Sequence, residues 1–342
     1  MCYLHPVAER PNLTVKTHVH VTKVLFEGTR AVGVEGLRLS DTLEFRAARE
    51  VIVCGGAYNS PQLLTLSGIG REEELALLQI PLVAELPGVG LNLSDHPNVG
   101  VTFTIKGEDS LKDALNDATL GQWMGGGGPL STNGVQVGGF FRTEEGMEVP
   151  DVQFHLVSAL FEQEGLLPPP AHGFSLSACV LRPQARGQVA VVSPDPTTKP
   201  FIVHNYFGAE QDLRSAVAGL REVLRIVAQS PLAELVDGPH LAPASSEDAD
   251  LEAHIRATAQ TIYHPVGTCK MGEDPLAVVD AECRVYGVEA LRVVDASVFP
   301  SVPRGNTNAP TIALAERVAD LVRRRVAEVE RAGGVVPAPA VA

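Results

Sequence analysis

The sequence predicts a mixed α/β fold with two regions, and three observations support this. An apolar run at residues 50–54 precedes Gly-Gly-Ala and a helix, which is typical of a strand buried on both faces of a parallel sheet. Residues 291–296 predict a second short strand with an aspartate near its end, as at the carboxyl edge of such a sheet. Between these two segments, alternating polar and apolar residues predict antiparallel strands.

The composition is that of an ordinary folded chain of 342 residues, with 45% hydrophobic and 20% charged residues. A net charge of −14 argues against nucleic acid as a partner, because phosphate contacts need a basic surface. No apolar run approaches the roughly 20 residues that cross a bilayer, and the start has no signal-peptide pattern. The five scattered cysteines lack a C-x-x-C pair, which favours reduced thiols in a cytoplasmic protein and argues against a zinc site.

The first part of the chain predicts a small β-meander. Residues 14–26, 31–39 and 43–46 alternate polar and apolar side chains, and turn residues separate them. Such meanders are common insertions in nucleotide-binding domains. In the first strand, the side chain of Val21 is expected to be buried.

A β–α turn follows the apolar run at residues 50–54. Ser60 is predicted as the N-cap of the next helix and Pro61 as its first residue. The small residues 55–57 would let either a cofactor or another backbone segment come close. The turn alone therefore favours a cofactor contact and a ligand-free tight turn equally.

The turn-rich segment at residues 86–97 predicts a boundary. Beyond it we expect an antiparallel sheet, in which residues 175–181 and 188–193 form one strand pair. Amphipathic helices are predicted near residues 211–229 and 246–259. A long helix is predicted over residues 308–325, and the Gly/Pro/Ala/Val-rich tail at residues 331–342 is expected to be unfolded.

Two late polar stretches, residues 261–272 and 303–311, suggest that His264 and Asn306 lie on two loops beside a bound cofactor. This layout suits removal of a proton from an alcohol while another group takes the hydride. Alternatives remain at each position. A lone histidine is more often an ordinary hydrogen-bonded residue, Asn306 could cap the helix that follows, and Asp295 could cap a turn rather than meet a cofactor.

Several long motifs resemble the glucose–methanol–choline (GMC) family of flavin-dependent alcohol oxidoreductases. Residues 56–70 match the family's second signature at every defining position. Further similarity lies at residues 88–97, 264–272, 293–300 and 305–309. The resemblance covers almost the whole chain. It implies FAD as the cofactor, a small-molecule alcohol as the substrate, and oxygen or a quinone-type carrier as the electron acceptor.

The resemblance also implies a domain organisation. Residues 1–97 and 262–330 would form a partial, Rossmann-like FAD-binding domain, and residues 98–261 a substrate-binding domain. Full-length members begin with a βαβ unit whose G-x-G-x-x-G turn seats the FAD pyrophosphate, and this sequence has no such motif. We therefore expect the C-terminal portion of such an enzyme. The alternatives are an inactive fragment or a complementing subunit that needs a separate N-terminal half.

By resemblance, His264 is the catalytic base, since a histidine can take a proton near neutral pH. Asn306 would hold the substrate oxygen and the developing alkoxide. Histidines without a motif context, His155 among them, are expected to be structural or exposed. The residues implied at the cofactor are Val21 (a backbone contact to adenine), Tyr263, Asp295, Ala296, Asn308 and Thr311.

Overall fold

The computed structural model describes residues 2–161 and 168–331. Within these ranges the strands are β1 (His20–Glu27), β2 (Arg30–Arg38), β3 (Asp41–Arg46), β4 (Val51–Val53), β5 (Ile69–Gly70), β6 (Ala84–Glu85), β7 (Leu91–Leu93), β8 (Pro97–Ile105), β9 (Val137–Phe141), β10 (Val152–Val157), β11 (Gly173–Val180), β12 (Gly187–Ala190), β13 (Phe201–Val203), β14 (Val236–Leu241), β15 (Gln260–Thr261) and β16 (Leu291–Val293). The helices are α1 (Gly56–Leu66), α2 (Glu72–Leu77), α3 (Asp117–Met124), α4 (Glu210–Val227), α5 (Leu232–Leu235), α6 (Asp248–Thr258) and α7 (Asn308–Arg331). The predicted mixed α/β class is confirmed.

Strands β1, β2 and β3 form an antiparallel sheet in that order, so the predicted meander is confirmed. β1 begins at His20 rather than at residue 14. His20 pairs with Leu37, near the end of β2. The alternation along β1 places Thr22 and Val24 on the core side at 5% and 3% exposure. The prediction of a buried Val21 side chain is therefore wrong: it lies on the outer face and is 39% exposed.

Strands β4 and β16, the two short strands predicted for a parallel sheet, pair in parallel with each other. Val51 and Val53 are buried, but Ile52 between them is 45% exposed. The prediction that this strand is buried on both faces is wrong for the face that carries Ile52. On that side α7 does not pack tightly, and a cavity of about 670 Å³ separates Ile52 from Val322.

The larger sheet is antiparallel and has the strand order β14-β8-β11-β10-β9, with β15 also paired to β8. Helix α4 packs against one face, where its Leu220 and Val223 are fully buried among apolar strand residues such as Val101. Burial of each such side chain contributes about 1.5–3 kcal/mol. The 3.6-residue apolar period predicted this helix to within two residues of its observed ends.

One predicted strand pair is wrong. β11 pairs with β8 and β10, whereas β12 leaves that sheet and pairs with β13 and β7. Between β11 and β12, the guanidinium Nε of Arg186 donates to Oδ1 of Asn92 at 3.1 Å. This contact lies beside the β12–β7 pairing, and β11 and β12 do not form a hairpin.

Helix α7 continues past its predicted end at residue 325 as far as Arg331, the last described residue. The rest of the tail predicted to be unfolded, residues 332–342, lies outside the described residues. Across the described ranges, no helix is both long and apolar enough to cross a membrane. All five cysteines fall within those ranges and are free.

Candidate active site

The side chains of His264 and Asn306 meet although 42 residues separate them. Nε2 of His264 lies 3.3 Å from Nδ2 of Asn306. His264 follows β15 and is 7% exposed, whereas Asn306 is exposed and precedes α7 by two residues. The carbonyl of Thr307 accepts the N–H of Thr311, so Thr307 occupies the cap position. These contacts therefore do not support the alternative in which Asn306 caps α7.

The backbone at Tyr263 is strained in a way that aims the His264 ring. Tyr263 has a φ of 64°, which is uncommon outside glycine and costs about 1–3 kcal/mol. Its N–H donates to the Thr261 hydroxyl at 2.8 Å, and that hydroxyl donates to Asp95 at 2.6 Å. The N–H of His264 donates to the same carboxylate at 3.1 Å. Asp95 thus holds the chain on both sides of Tyr263, whose own side chain is 55% exposed.

The carboxylate of Asp95 is fully enclosed, with 0% of the side chain exposed. Four donors reach its two oxygens: the N–H groups of His96 (2.8 Å) and His264 (3.1 Å) on Oδ1, and the hydroxyls of Tyr206 and Thr261 (both 2.6 Å) on Oδ2. A buried carboxylate needs such donors, because without them its charged form is too costly. The sequence motif contained Asp95, but its role was missed because these donors come from three separate segments.

His96 contacts His264 edge-on, with ring centroids 5.2 Å apart and the two Nδ1 atoms at 3.0 Å. With the amide nitrogen of Asn306 as the donor, Nε2 of His264 accepts and the ring proton resides on Nδ1. Burial lowers the pKa of His96 to about 4, with His264 as the second cause, so His96 is neutral at pH 7. A neutral His96 can accept the Nδ1–H of His264. It thereby sets the tautomer whose Nε2 lone pair faces Asn306.

The environment also sets the charge of His264. Burial lowers its pKa, and the negative charge of Asp95 opposes that shift. The ring is consequently neutral at pH 7 and can accept a proton. Once protonated, it would lie next to a buried carboxylate that stabilises the imidazolium.

Helix α1 begins at Gly56, so the prediction of an N-cap at Ser60 is wrong, and Pro61 lies inside the helix. Proline has no N–H to donate to the carbonyl of Ala57, one turn earlier. The hydroxyl of Thr268 donates to that carbonyl at 2.6 Å instead. The loop that carries the histidine therefore completes the hydrogen bonding of α1, which explains how a proline is tolerated there.

Asp295 follows β16 and joins the two parallel β–α turns. Its Oδ2 accepts from the N–H of Gly56 at 3.0 Å and the hydroxyl of Ser60 at 2.6 Å, and its Oδ1 accepts from the N–H of Ser297 at 2.7 Å. Asp295 is 6% exposed and caps a short 3-10 turn that starts at Ala296. Its contacts therefore support the capping alternative, and cofactor contacts of Asp295 and Ala296 stay predictions.

The other residues predicted at the cofactor lie in two places. Val21 lines a cavity of about 600 Å³ together with Val53 and Gly55, at the carboxyl end of β4. Open α/β sheets bind nucleotides at such an edge. Asn308 and Thr311 lie in the first turn of α7, where the positive end of the helix dipole suits a partly negative ring edge. Apolar walls in one place and a helix N-terminus in the other fit the two ends of an FAD.

The structure thus combines a parallel β–α crevice, an antiparallel sheet and a buried histidine paired with an amide side chain. Family models described as GMC oxidoreductase match residues 1–98 and 183–315. The chain belongs to the GMC oxidoreductase family, and members of this family bind FAD. The resemblance seen in the sequence motifs is thereby confirmed.

Named relatives and solved structures agree with this assignment. Oxygen-dependent choline dehydrogenase from Escherichia coli is 41% identical over 337 residues, which cover 95% of this chain and 60% of the relative. The Stenotrophomonas maltophilia enzyme of the same name is 42% identical, over 94% of this chain and 59% of its own.

Formate oxidase from Aspergillus oryzae, in a study of FAD modification, superposes with a TM-score of 0.87 at 25% identity, covering 94% of this chain and 63% of that chain. Pyridoxine 4-oxidase from Mesorbium loti superposes with a TM-score of 0.82 at 26% identity, covering 94% and 60%. The chain thus spans about 60% of the length of the curated relatives it matches.

Proposed function

We propose that this chain forms the catalytic part of an FAD-dependent oxidoreductase that acts on the CH–OH group of a small alcohol. The observation that carries the proposal is the 3.3 Å approach of His264 Nε2 and Asn306 Nδ2. A substrate hydroxyl that replaces this direct contact and lies within hydrogen-bond distance of both nitrogens would donate to the imidazole and accept from the amide. One base and one hydrogen-bond donor at the same oxygen are what alcohol activation needs.

In this proposal Nε2 of His264 takes the hydroxyl proton, and the Asn306 amide stabilises the negative charge that develops on the oxygen. The resulting imidazolium keeps its Nδ1–H bonded to His96 and faces the charge of Asp95. FAD, when bound, supplies the acceptor for the hydride that leaves the same carbon. Base catalysis of this kind contributes about 10²–10⁴-fold, and one oxyanion donor about 10²–10³-fold.

The cofactor would be held along the edge formed by the two parallel β–α turns and the start of α7. Val21 would contact the adenine through its backbone, and Asn308 and Thr311 would face the pyrimidine side of the flavin. Tyr263, with its exposed ring next to His264, would line the flavin or substrate pocket. Asp295 and Ala296 would act at the pyrophosphate and ribityl region, Asp295 mainly by fixing the turns. The electron acceptor would be oxygen or a quinone-type carrier.

A second candidate is an inactive fragment, or a complementing subunit that acts only with a separate FAD-binding half. These 342 residues contain no G-x-G-x-x-G turn, and the chain spans about 60% of its curated relatives. The pyrophosphate seat that such a turn provides would then come from another polypeptide.

The test is a titration of the purified chain with FAD, followed by anaerobic mixing with small alcohols while flavin absorbance is recorded. We expect alcohol-dependent bleaching that falls by about 10²-fold or more in His264→Gln. His18→Gln, a change at an exposed histidine, is the matched control and should bleach normally. Undiminished bleaching in His264→Gln would contradict the assignment of the base.

The same titration separates the two candidates. Alcohol-dependent bleaching by the chain alone, with FAD held weakly, favours the first. Binding that requires an added polypeptide with a G-x-G-x-x-G turn favours the complementing subunit, and a flavin-loaded chain that no alcohol bleaches favours the inactive fragment.

A further inference from the structure

The two faces of the larger sheet differ in chemistry. Val101 and Leu176 point towards α4 and are buried in its apolar core. The opposite face is polar, because the strand period of two places every second residue there. Three rows run across β8, β11 and β10 on this face: Asn98 with Cys179 and Gln153, Gly100 with Ser177 and His155, and Thr102 with Ser175 and Val157.

Several polar atoms on this face are buried but make no hydrogen bond within the described part of the chain. They are Oδ1 of Asn98, Oγ1 of Thr102, Oε1 of Gln153 and both ring nitrogens of His155. The four residues are 7%, 4%, 8% and 8% exposed, respectively. Folded proteins leave few buried polar groups unpaired, because each costs about 1–3 kcal/mol. A row of them on one surface indicates groups that a bound molecule satisfies.

The polar face opens into a cavity of about 440 Å³ that Asn98, Thr102 and His155 line. The lining of this cavity includes Gln260, which precedes His264 by four residues. Asn98 lies opposite Gln260 in the β8–β15 ladder. Burial lowers the pKa of His155, and the nearby His264 is the second cause of this shift. His155 is therefore neutral at pH 7.

The chemistry of the lining restricts what can bind. Among the described residues that line the cavity, none is an aspartate, glutamate, lysine or arginine. A cation or an anion would lose its hydration here without a compensating charge. Phe161 is the single Phe, Tyr or Trp side chain among those residues, whereas recognition of a quaternary ammonium uses a cage of several aromatic faces.

We infer that the polar face of the larger sheet is the substrate-specificity surface, and that it selects a neutral alcohol with further hydroxyl groups, of the polyol type. This inference rests on the proposed function. Asn98, Thr102 and His155 hydrogen-bond the additional hydroxyls while His264 and Asn306 receive the reacting one. A quaternary ammonium alcohol or a hydroxy acid binds less well.

The test measures binding to the full chain with FAD added, by isothermal titration calorimetry. The ligands are sorbitol, choline and glycolate, which are a neutral, a cationic and an anionic alcohol. Thr102→Val is compared with Thr104→Val, two residues along the same strand and on the same face. The hydroxyl of Thr104 already donates to the carbonyl of Gly238 at 3.2 Å, whereas that of Thr102 is unpaired.

We expect sorbitol to bind at least tenfold more tightly than choline or glycolate. Thr102→Val should weaken sorbitol binding about tenfold with no loss of thermal stability, because it removes an unpaired polar atom. Thr104→Val should lower stability and leave binding unchanged. His155→Phe is a second variant with the same expected loss of binding.

Tighter binding of choline or glycolate, an absence of sorbitol binding, or equal binding by Thr102→Val and the unchanged protein would overturn the inference. Flavin bleaching is recorded in the same samples. Sorbitol that binds as expected but never bleaches the flavin supports the specificity surface and contradicts the proposed reaction, so the two failures are distinguishable.

Discussion

Asp95→Asn tests whether the enclosed carboxylate organises the candidate site. Asparagine can keep its oxygen towards the N–H groups of His96 and His264, but it then places an NH₂ group against the hydroxyls of Tyr206 and Thr261. Two hydrogen bonds to a charged group, each about 1.5–3 kcal/mol, are lost. The hydroxyls can rotate and accept, which recovers part of that. We expect the free energy of unfolding to fall by about 2–3 kcal/mol.

The same change should alter the pKa of His264. The negative charge of Asp95 raises this pKa against the effect of burial, so removing the charge lowers it. The neutral base then persists to lower pH, and the acid limb of any alcohol-dependent flavin reduction moves to lower pH. The base is also weaker, so the plateau rate falls. An NMR titration of the His264 ring measures the shift without requiring flavin.

Asp212→Asn is the matched control. Asp212 is 1% exposed, and its two oxygens accept from the N–H groups of Gln184 (2.7 Å) and Ala185 (2.9 Å). Its replacement should cost a similar amount of stability but leave the His264 titration unchanged. If Asp95→Asn left the His264 pKa in place, or raised it, the electrostatic coupling argued here would be refuted.

Two further changes probe the loops. Asn306→Ala should reduce alcohol-dependent flavin reduction by about 10²-fold while the melting temperature stays constant, since the side chain is exposed; a normal rate would remove Asn306 from the mechanism. Gly267→Ala should destabilise the protein by about 2–3 kcal/mol in chemical denaturation, because φ is 94° and the new Cβ would lie 2.5 Å from the Asn92 carbonyl oxygen. Gly28→Ala, with φ of 61° and open space around its Cβ, should cost about 1 kcal/mol, and equal costs would contradict the steric argument.

Much of the fold was predictable because its signals are local. The period of two in β8 and β10, the period of 3.6 in α4, and the strand patterns of β4 and β16 each lie within one short segment. The wrong predictions depended on distant contacts. Val21 is exposed because β1 turns its other face, with Thr22 and Val24, towards the core, and β12 pairs with β13 and β7 instead of β11.

For the candidate site, local pattern was enough to identify the residue types and the family: a histidine and an asparagine in two long motifs. Three-dimensional contacts were needed for everything that gives those residues their chemistry. Asp95 holds His264 across 169 positions of sequence, and His96 sets its tautomer across 168. The unpaired polar face was equally invisible, since a residue such as His155 lacks a partner only once the sheet has buried it. The protonation state of a side chain, its tautomer and whether its polar atoms find partners depend on the buried environment around it. That environment exists only in the folded chain.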